Sequence, residues 1–450
     1  MSTTHATTTP STQQPLALRR VFATWWPLAA SWGLMGIELP IVSAVMARLA
    51  NPEVHLAAYG GFVFPLALII ESPVIMLLAA STALGRDAQR YRLMHRVMMI
   101  LGGTLTALHA FLAFTPAFDV ILVPLLDPPP EVIEPARLGL QIMLPWTWTI
   151  AYRRFHQGLL IRFGHSGAVG IGTAIRLVAG STIALTGLAI GLTVAPNVPG
   201  ILIATLAIAA GVTSEAIYSG LRARPVVRGP LHDAEPIQPP LTLAGFRAFY
   251  VPLAMTSLLL LLVQPIGAAA IGRMPFALAS LAAWPVVNGL VFLLRSAGYA
   301  YNEVVVALSD EPHAEATLRR FTLLLALATT SIGLLIALTP LSTLWFRTLS
   351  GLPPELARLA TNAFWVGIFW APLDVARNAL QGRMVHAGRT RPISLSVAVF
   401  LVVATSILAI GVVLQRGEGL VIAMVAFVIA QLAQLAFLAW HVRRLPHGPA

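Results

Sequence analysis

RRFHQGLLIRFG at residues 153–164 and RNALQGRMVHAG at residues 377–388 share one pattern, Arg-x-x-x-Gln-Gly, followed six residues later by another glycine, Gly164 or Gly388. Each sits inside an apolar stretch, and the arginines are 377 − 153 = 224 positions apart. A guanidinium within a bilayer core costs a few kcal/mol even on insertion scales, so it is expected to face a bundle interior or a wet cavity. One such pattern per half points to a duplicated membrane protein.

The composition agrees. Of 450 residues 57% are hydrophobic and 10% charged, and the mean hydropathy is +0.80, as several bilayer-crossing stretches would give. Every one of the 29 basic residues is Arg, and the absence of Cys excludes disulfides and thiolate metal or redox sites. A net charge of +11 in a soluble chain would suggest nucleic acid. Here the arginines cluster in short loops between apolar spans, where they set orientation, so no nucleic-acid partner is expected. Residues 1–15 are rich in Ser, Thr, Gln and Pro and lack the layout of a cleaved signal, so the first span is expected to remain as an anchor.

Twelve spans are expected, at 25–47, 56–84, 93–114, 135–161, 167–194, 199–221, 249–271, 276–308, 318–339, 355–382, 392–415 and 418–441. Alternate loops carry 18 arginines on one side and 6 on the other, which the positive-inside rule reads as cytoplasmic N- and C-termini. The longest polar break, with Pro225, Pro230, Pro236, Pro239 and Pro240, reads as a linker. The expected organisation is a disordered cytoplasmic tail (1–20), a six-helix bundle (21–221), a cytoplasmic linker (222–248) and a second six-helix bundle (249–442). Pro27-Leu28-Ala29 returns as Pro252-Leu253-Ala254, Pro40-Ile41 as Pro265-Ile266 and Arg48 as Arg273, all at an offset of 225 (273 − 48). Six spans per copy make a parallel repeat, a layout of alternating-access carriers, with a site expected between the halves near the midplane.

The polar residues read at depth are Glu38, Glu71, Arg153, Arg154, His156 and Gln157 in the first half, and Asn288, Arg295, Asn302, Glu303, Asp374, Arg377, Asn378 and Gln381 in the second. Everything else there is expected to be apolar or small. Arg153 lies nine residues from Arg162, about 13 Å at ~1.5 Å per residue and so near the middle of a roughly 30 Å core. Gln157 and Gln381 stand at i+4 from their arginines, so each pattern presents a guanidinium and an amide on one helix face. Two readings stay open: the arginines lock helices together by pairing with acids such as Asp374 at i−3, or they line an anion-binding cavity. Glu38 and Glu71, midway along spans 1 and 2, suit a proton relay or a static salt bridge to Arg153 or Arg154. Two acids against two arginines in the first half, and Asp374 against Arg295 and Arg377 in the second, make the second half the better anion site and the first the better coupling site. His156 reads as a packing residue more readily than as a titrating one. Pro40, Pro65, Pro73, Pro145, Pro265, Pro285 and Pro372 should bend the spans. Trp25, Trp26 and Trp440 read as interfacial anchors.

No H-E-x-x-H, G-x-x-x-x-G-K-[ST] or paired aspartate motif is present, so the chain is not expected to be an enzyme or a primary pump.

With Trp25-Trp26-Pro27-Leu28-Ala29 opening the first span and Ala57-Ala58-Tyr59-Gly60 opening the second, this layout resembles the multidrug/oligosaccharidyl-lipid/polysaccharide (MOP) exporter superfamily. Within it the chain looks most like the progressive ankylosis family and its bacterial relatives, then the multidrug and toxic compound extrusion (MATE) transporters. The resemblance covers nearly the whole chain and implies an all-α protein of two V-arranged six-helix bundles with ion-coupled export through a central cleft. It implies an anionic cargo for ankylosis-type members, and organic cations with an acidic first-lobe site for extrusion-type members. Glu38 falls in the span where the latter carry their coupling residue, although its surroundings match poorly.

The expectation is therefore a secondary transporter in the bacterial inner membrane, working as a monomer on a small anionic solute. Arg295, Arg377, Asp374, Gln381, Asn288, Arg153 and Gln157 are expected to bind substrate. Glu38, Glu71 and Arg154 are expected to couple transport to a proton or sodium gradient, with no other cofactor and no metal. The alternatives are a MATE-type cation antiporter, a lipid-linked precursor flippase and a non-transporting membrane scaffold.

Overall fold

The computed structural model describes residues 15–387, 389 and 391–444; Gly388, the second glycine of the second pattern, lies outside them, as do residues 1–14 of the expected tail. The architecture is all-α. Eleven helices are long and apolar enough to cross a membrane: α1 (Leu18–Met46), α2 (Pro52–Leu84), α3 (Ala88–Phe114), α5 (Gly167–Thr193), α6 (Gly200–Arg228), α7 (Leu243–Gly272), α8 (Ala277–Leu308), α9 (Ala314–Leu338), α10 (Pro354–His386), α11 (Arg391–Leu414) and α12 (Gly419–Val442). The remaining expected span is α4, formed by Pro130–Ile142 and Leu144–Arg162. It is helical too, but Glu131, Glu134, Arg137, Arg153, Arg154 and Arg162 lower its hydropathy.

Several boundaries differ from expectation: α3, α4 and α7 begin earlier, at Ala88, Pro130 and Leu243, and two further shifts have a visible cause. Helix α1 begins at Leu18, inside the segment read as tail, because Leu16 and Val21 are buried and the Leu16 amide donates to the Pro312 carbonyl at 2.9 Å. Helix α6 continues to Arg228 through Pro225, since Ala223 and Val226 pack against Leu160 and Ala168, leaving only residues 229–242 between the bundles. That stretch lies against the start of α3, where Arg90 donates to the Pro239 carbonyl at 3.2 Å and Leu231 is buried.

The duplication is written into the backbone. Helix α1 breaks at Ile37 and α7 at Leu262, each three residues before a proline that cannot donate to the preceding turn, Pro40 and Pro265. Helix α4 breaks at Met143 and α10 at Ile368–Phe369, just ahead of Pro145 and Pro372. Pro73 and Pro285, by contrast, lie inside continuous helices. Asn51 and Phe276 both take left-handed conformations, 276 − 51 = 225 positions apart, as do Asp127 and Gly351, 224 apart. A short π-helical turn follows α3 at Phe118–Leu122, and another follows α9 at Leu344–Leu349.

The seam between the bundles is built mainly from α1 and α2 against α7 and α8. Gly60 faces Pro285, its own repeat mate (285 − 60 = 225), so the pseudo-twofold axis passes here, and a Cβ on Gly60 would lie 2.5 Å from the proline ring. At the arginine-poor end two guanidinium groups cross the seam in the same way. Arg48 Nη1 donates to its own i−4 carbonyl, Ala44, at 2.7 Å, and its Nη2 to the Thr348 and Leu349 carbonyls of the other bundle at 2.5 and 2.9 Å. Arg273 Nη1 donates to Ala269 and its Nη2 to the Leu125 carbonyl of the first bundle, both at 2.9 Å. Leu125 and Leu349 are 224 apart, so these are two copies of one clasp. At the arginine-rich end the Trp25 indole donates to the Ala297 carbonyl at 2.7 Å, and Arg20 pairs with Glu311 at 2.7 Å. Trp25 is thus a seam residue and not the expected interfacial anchor, whereas Trp26 and Trp440 are half exposed.

Candidate functional site

The expected site residues sort into two polar networks, one inside each bundle, instead of converging on one cleft. In the second bundle, the helical segment that starts at Trp370 buries Asp374 completely, and the 3.6-residue repeat brings Arg377, Asn378 and Gln381 onto adjoining faces. Asp374 receives Arg295 from α8 on Oδ2. Its Oδ1 accepts from Arg377 Nε and, from α12, Gln431 Nε2, both at 3.0 Å. Arg377 also donates through Nη1 to Gln381 at 3.2 Å. The Arg295 guanidinium lies 4.0 Å from the Trp370 ring centre and 5.3 Å from that of Tyr299, which contacts Trp32 of the first bundle across the seam. Asn288 stands apart, half-buried on α8 with no hydrogen-bond partner among the described residues. Glu303 is exposed.

The first bundle corrects the expected inventory. Arg153 pairs with Glu215 of α6, to which Gln157 Nε2 donates at 2.9 Å and Thr173 at 3.4 Å. Glu38 begins the segment after the α1 break, a position that favours a carboxylate. It is gripped by both Nε and Nη2 of Arg176 on α5. The expected salt bridges of Glu38 and Glu71 to Arg153 or Arg154 are not formed: Glu38 pairs with Arg176 and Arg153 with Glu215. Arg176 and Glu215 contradict the expectation that all else at depth is apolar or small. Glu215 was missed because a single acid in a span of Ala, Ile and Gly reads as noise. Arg176 had a detectable signal: 29 arginines less 18 and 6 in loops leave five inside, and only four had been placed.

Charge counting then separates the bundles. At depth the first holds Glu38, Glu71 and Glu215 against Arg153, Arg154 and Arg176, which balance, replacing the expected two against two. The second holds Asp374 against Arg295 and Arg377, an excess of one positive charge. Exposure does not separate them: both of those arginine side chains keep 14% of their surface exposed, and in the first bundle Arg176 keeps 16% and Arg153 4%. Of the six charged groups in the balanced bundle, two form no hydrogen bond with any described residue. Glu71, 4% exposed, has no hydrogen bond from any described residue, and buried Nε of Arg154 has none either. The Tyr59 hydroxyl and Gln157 Oε1 are also buried without partners. His156 is a packing residue, buried, donating through Nδ1 to the Tyr152 carbonyl at 2.8 Å and lying against the Tyr152 ring at 4.1 Å between centres. Among the described residues no cluster of His, Asp and Glu could hold a metal ion.

No family model and no curated protein matches the chain. Solved structures do match over nearly its whole length. The lipid II flippase MurJ in an inward closed conformation superposes with a TM-score of 0.70 at 12% identity, covering 93% of this chain and 88% of that one. An inward-facing MATE-family multidrug resistance transporter of the MOP superfamily gives 0.67 at 14%, covering 93% and 98%. A MOP-superfamily transporter from Pyrococcus furiosus, described as having a binding pocket of reverse polarity that suggests a different function, gives 0.60 at 15%, covering 96% of both. At these identities the likeness is one of fold, and the chain has the fold of the MOP exporters. The narrower likeness to the progressive ankylosis family stays an expectation.

Proposed function

We propose that the chain is an ion-coupled secondary transporter that moves an anionic organic solute by alternating access of its two bundles, oriented with both termini in the cytoplasm. The observation that carries this reading is the uneven charge count: Arg295 and Arg377 share one carboxylate. A solute carboxylate or phosphate would compensate the remaining charge and accept from guanidinium N–H groups that Asp374 leaves free. Gln381 would orient Arg377, and the Trp370 and Tyr299 rings would hold Arg295 in place. An organic cation would meet five arginines at depth, which disfavours the multidrug alternative. The reverse-polarity description of the Pyrococcus furiosus transporter suits this reading.

Coupling is assigned to Glu71 over Glu38. Both oxygens of Glu38 are already occupied by the Arg176 guanidinium, whereas Glu71 is buried, unbonded and within electrostatic reach of Arg153, Arg154 and Arg176. Loading it would tip a neutral bundle to a charged one, a change that can bias two arrangements of the seam.

The test is transport in proteoliposomes of a panel of organic acids and nucleotides under an imposed proton or sodium gradient. Arg377→Gln and Arg295→Gln should each cut anion flux by roughly tenfold or more, the loss of one charge-assisted contact. Glu71→Gln should abolish accumulation against a gradient while leaving downhill exchange. Undiminished anion flux in both arginine variants, or full accumulation with Glu71→Gln, would remove the site assignment. Transport of cationic dyes alone would favour the multidrug reading.

A further inference from the structure

Neither network uses a cavity of about 950 Å³ at the arginine-rich end of the second bundle. Its floor is α10, and its walls are α9, α12 and the end of α8, all of the second bundle. The upper wall is apolar, with Leu323, Leu380 and Leu435, and Leu323 is 64% exposed. The lower rim carries Arg319, Arg383, Arg389 and Arg443. Arg383 is held by Glu315, but Arg319, Arg389 and Arg443 are exposed and have no acidic partner among the described residues.

An apolar trough that ends in three uncompensated guanidinium groups at the arginine-rich end of the spans fits one kind of occupant. We propose that this groove is a binding site for an anionic phospholipid of the arginine-rich leaflet. An acyl chain lies along Leu323, Leu380 and Leu435, and the phosphate is held by Arg319, Arg389 and Arg443. A free organic phosphate would satisfy the rim but not the trough, and a zwitterionic lipid would fill the trough but leave the rim's charge uncompensated.

The repeat provides an internal control. A smaller cavity of about 480 Å³ occupies part of the corresponding place in the first bundle. There His165 stands where the second bundle has Arg389 (389 − 165 = 224), and Arg222 is the one arginine in its wall. The cationic rim belongs to one copy, so a merely general attraction of basic loops for lipid should not depend on these three residues. The proposal is independent of whether the solute transported is an anion.

The experiment is lipid titration of the full-length, delipidated protein in detergent, read by native mass spectrometry. The probes are phosphatidylglycerol and phosphatidylcholine with matched chains, and glycerol 3-phosphate as a soluble head. Wild type should bind phosphatidylglycerol in clear preference to phosphatidylcholine. Arg319→Gln/Arg389→Gln/Arg443→Gln, all surface changes, should weaken phosphatidylglycerol binding on the order of 100-fold. Arg222→Gln/Arg224→Gln should leave it within a few-fold. Equal binding of the two lipids, equal loss in the first-bundle control, or glycerol 3-phosphate binding as tightly as the lipid would each overturn the proposal.

Discussion

Removing the twin clasp at the arginine-poor end should release the seam there. Three hydrogen bonds from charged donors cross it, two from Arg48 to Thr348 and Leu349 and one from Arg273 to Leu125. Such bonds contribute about 1.5–3 kcal/mol when buried. Arg48 is exposed and Arg273 half-buried, so about 1 kcal/mol each is the appropriate scale. Arg48→Ala should then shift the closed-to-open ratio by roughly 30-fold, Arg273→Ala by roughly fivefold, and the double variant by roughly 100-fold, at ~1.4 kcal/mol per tenfold. The chain has no cysteine, so spin labels can be placed without background. Val120 of the first bundle and Val413 of the second, 72% and 80% exposed, are suitable sites. Double electron–electron resonance should show the distance distribution of the Arg48→Ala/Arg273→Ala protein moving to longer values. Indistinguishable distributions in wild type and double variant would refute the clasp as a closing element.

Three further outcomes follow from named contacts. Gly351 has φ +73, and a Cβ there would lie 2.8 Å from Arg48 Nη1, so Gly351→Ala should open the same end as Arg48→Ala does, by the same spin-label measurement. Glu215→Gln should lower stability by about 3–5 kcal/mol, seen as a fall in melting temperature, because it strands Arg153 in the interior. Adding Arg153→Gln should recover much of the loss, and failure to recover any would mean that Glu215 matters for another reason. Gly60→Ala places a methyl 2.5 Å from Pro285 on the axis; it should cost about 1–3 kcal/mol or shift the label distances, whereas an unaltered protein would show that the axis contact is loose.

How far the sequence could be read depends on what each feature requires. The spans, the two bundles and the repeat were legible because hydropathy and a constant offset are properties of the chain alone. The linker was overdrawn at its start because Pro225 reads as a breaker, while the packing of Val226 against Leu160 carries the helix past it. The second network was foreseen in composition, since Asp374 lies one turn from Arg377 on the same helix. Its member from α12, Gln431, has no local signal. The first network was misread for the same reason on a larger scale. Arg153 meets Glu215 across 62 residues, and Glu38 meets Arg176 across 138, and no spacing rule links such positions.

The clasp and the networks together show what duplication has kept and what it has changed. At the arginine-poor rim both copies retain the same arginine, the same i−4 anchor and the same target carbonyl, as a rim that must close symmetrically about an axis requires. In the interior the copies differ. Arg295 lies one position from the mate of Glu71 at the offset of 225 that joins Gly60 to Pro285 on the same helix pair (71 + 225 = 296), so neighbouring positions of the repeat carry opposite charge in the two halves. A symmetric interior would give two equal sites and no reason for one bundle to take an ion and the other a solute. Reversing the charge there makes the second bundle positive while the first stays balanced with one acid unbonded. The proposed division of labour rests on these two residues, so exchanging them, Glu71→Arg with Arg295→Glu, should cost folding or transport far more than either clasp variant, Arg48→Ala or Arg273→Ala, costs.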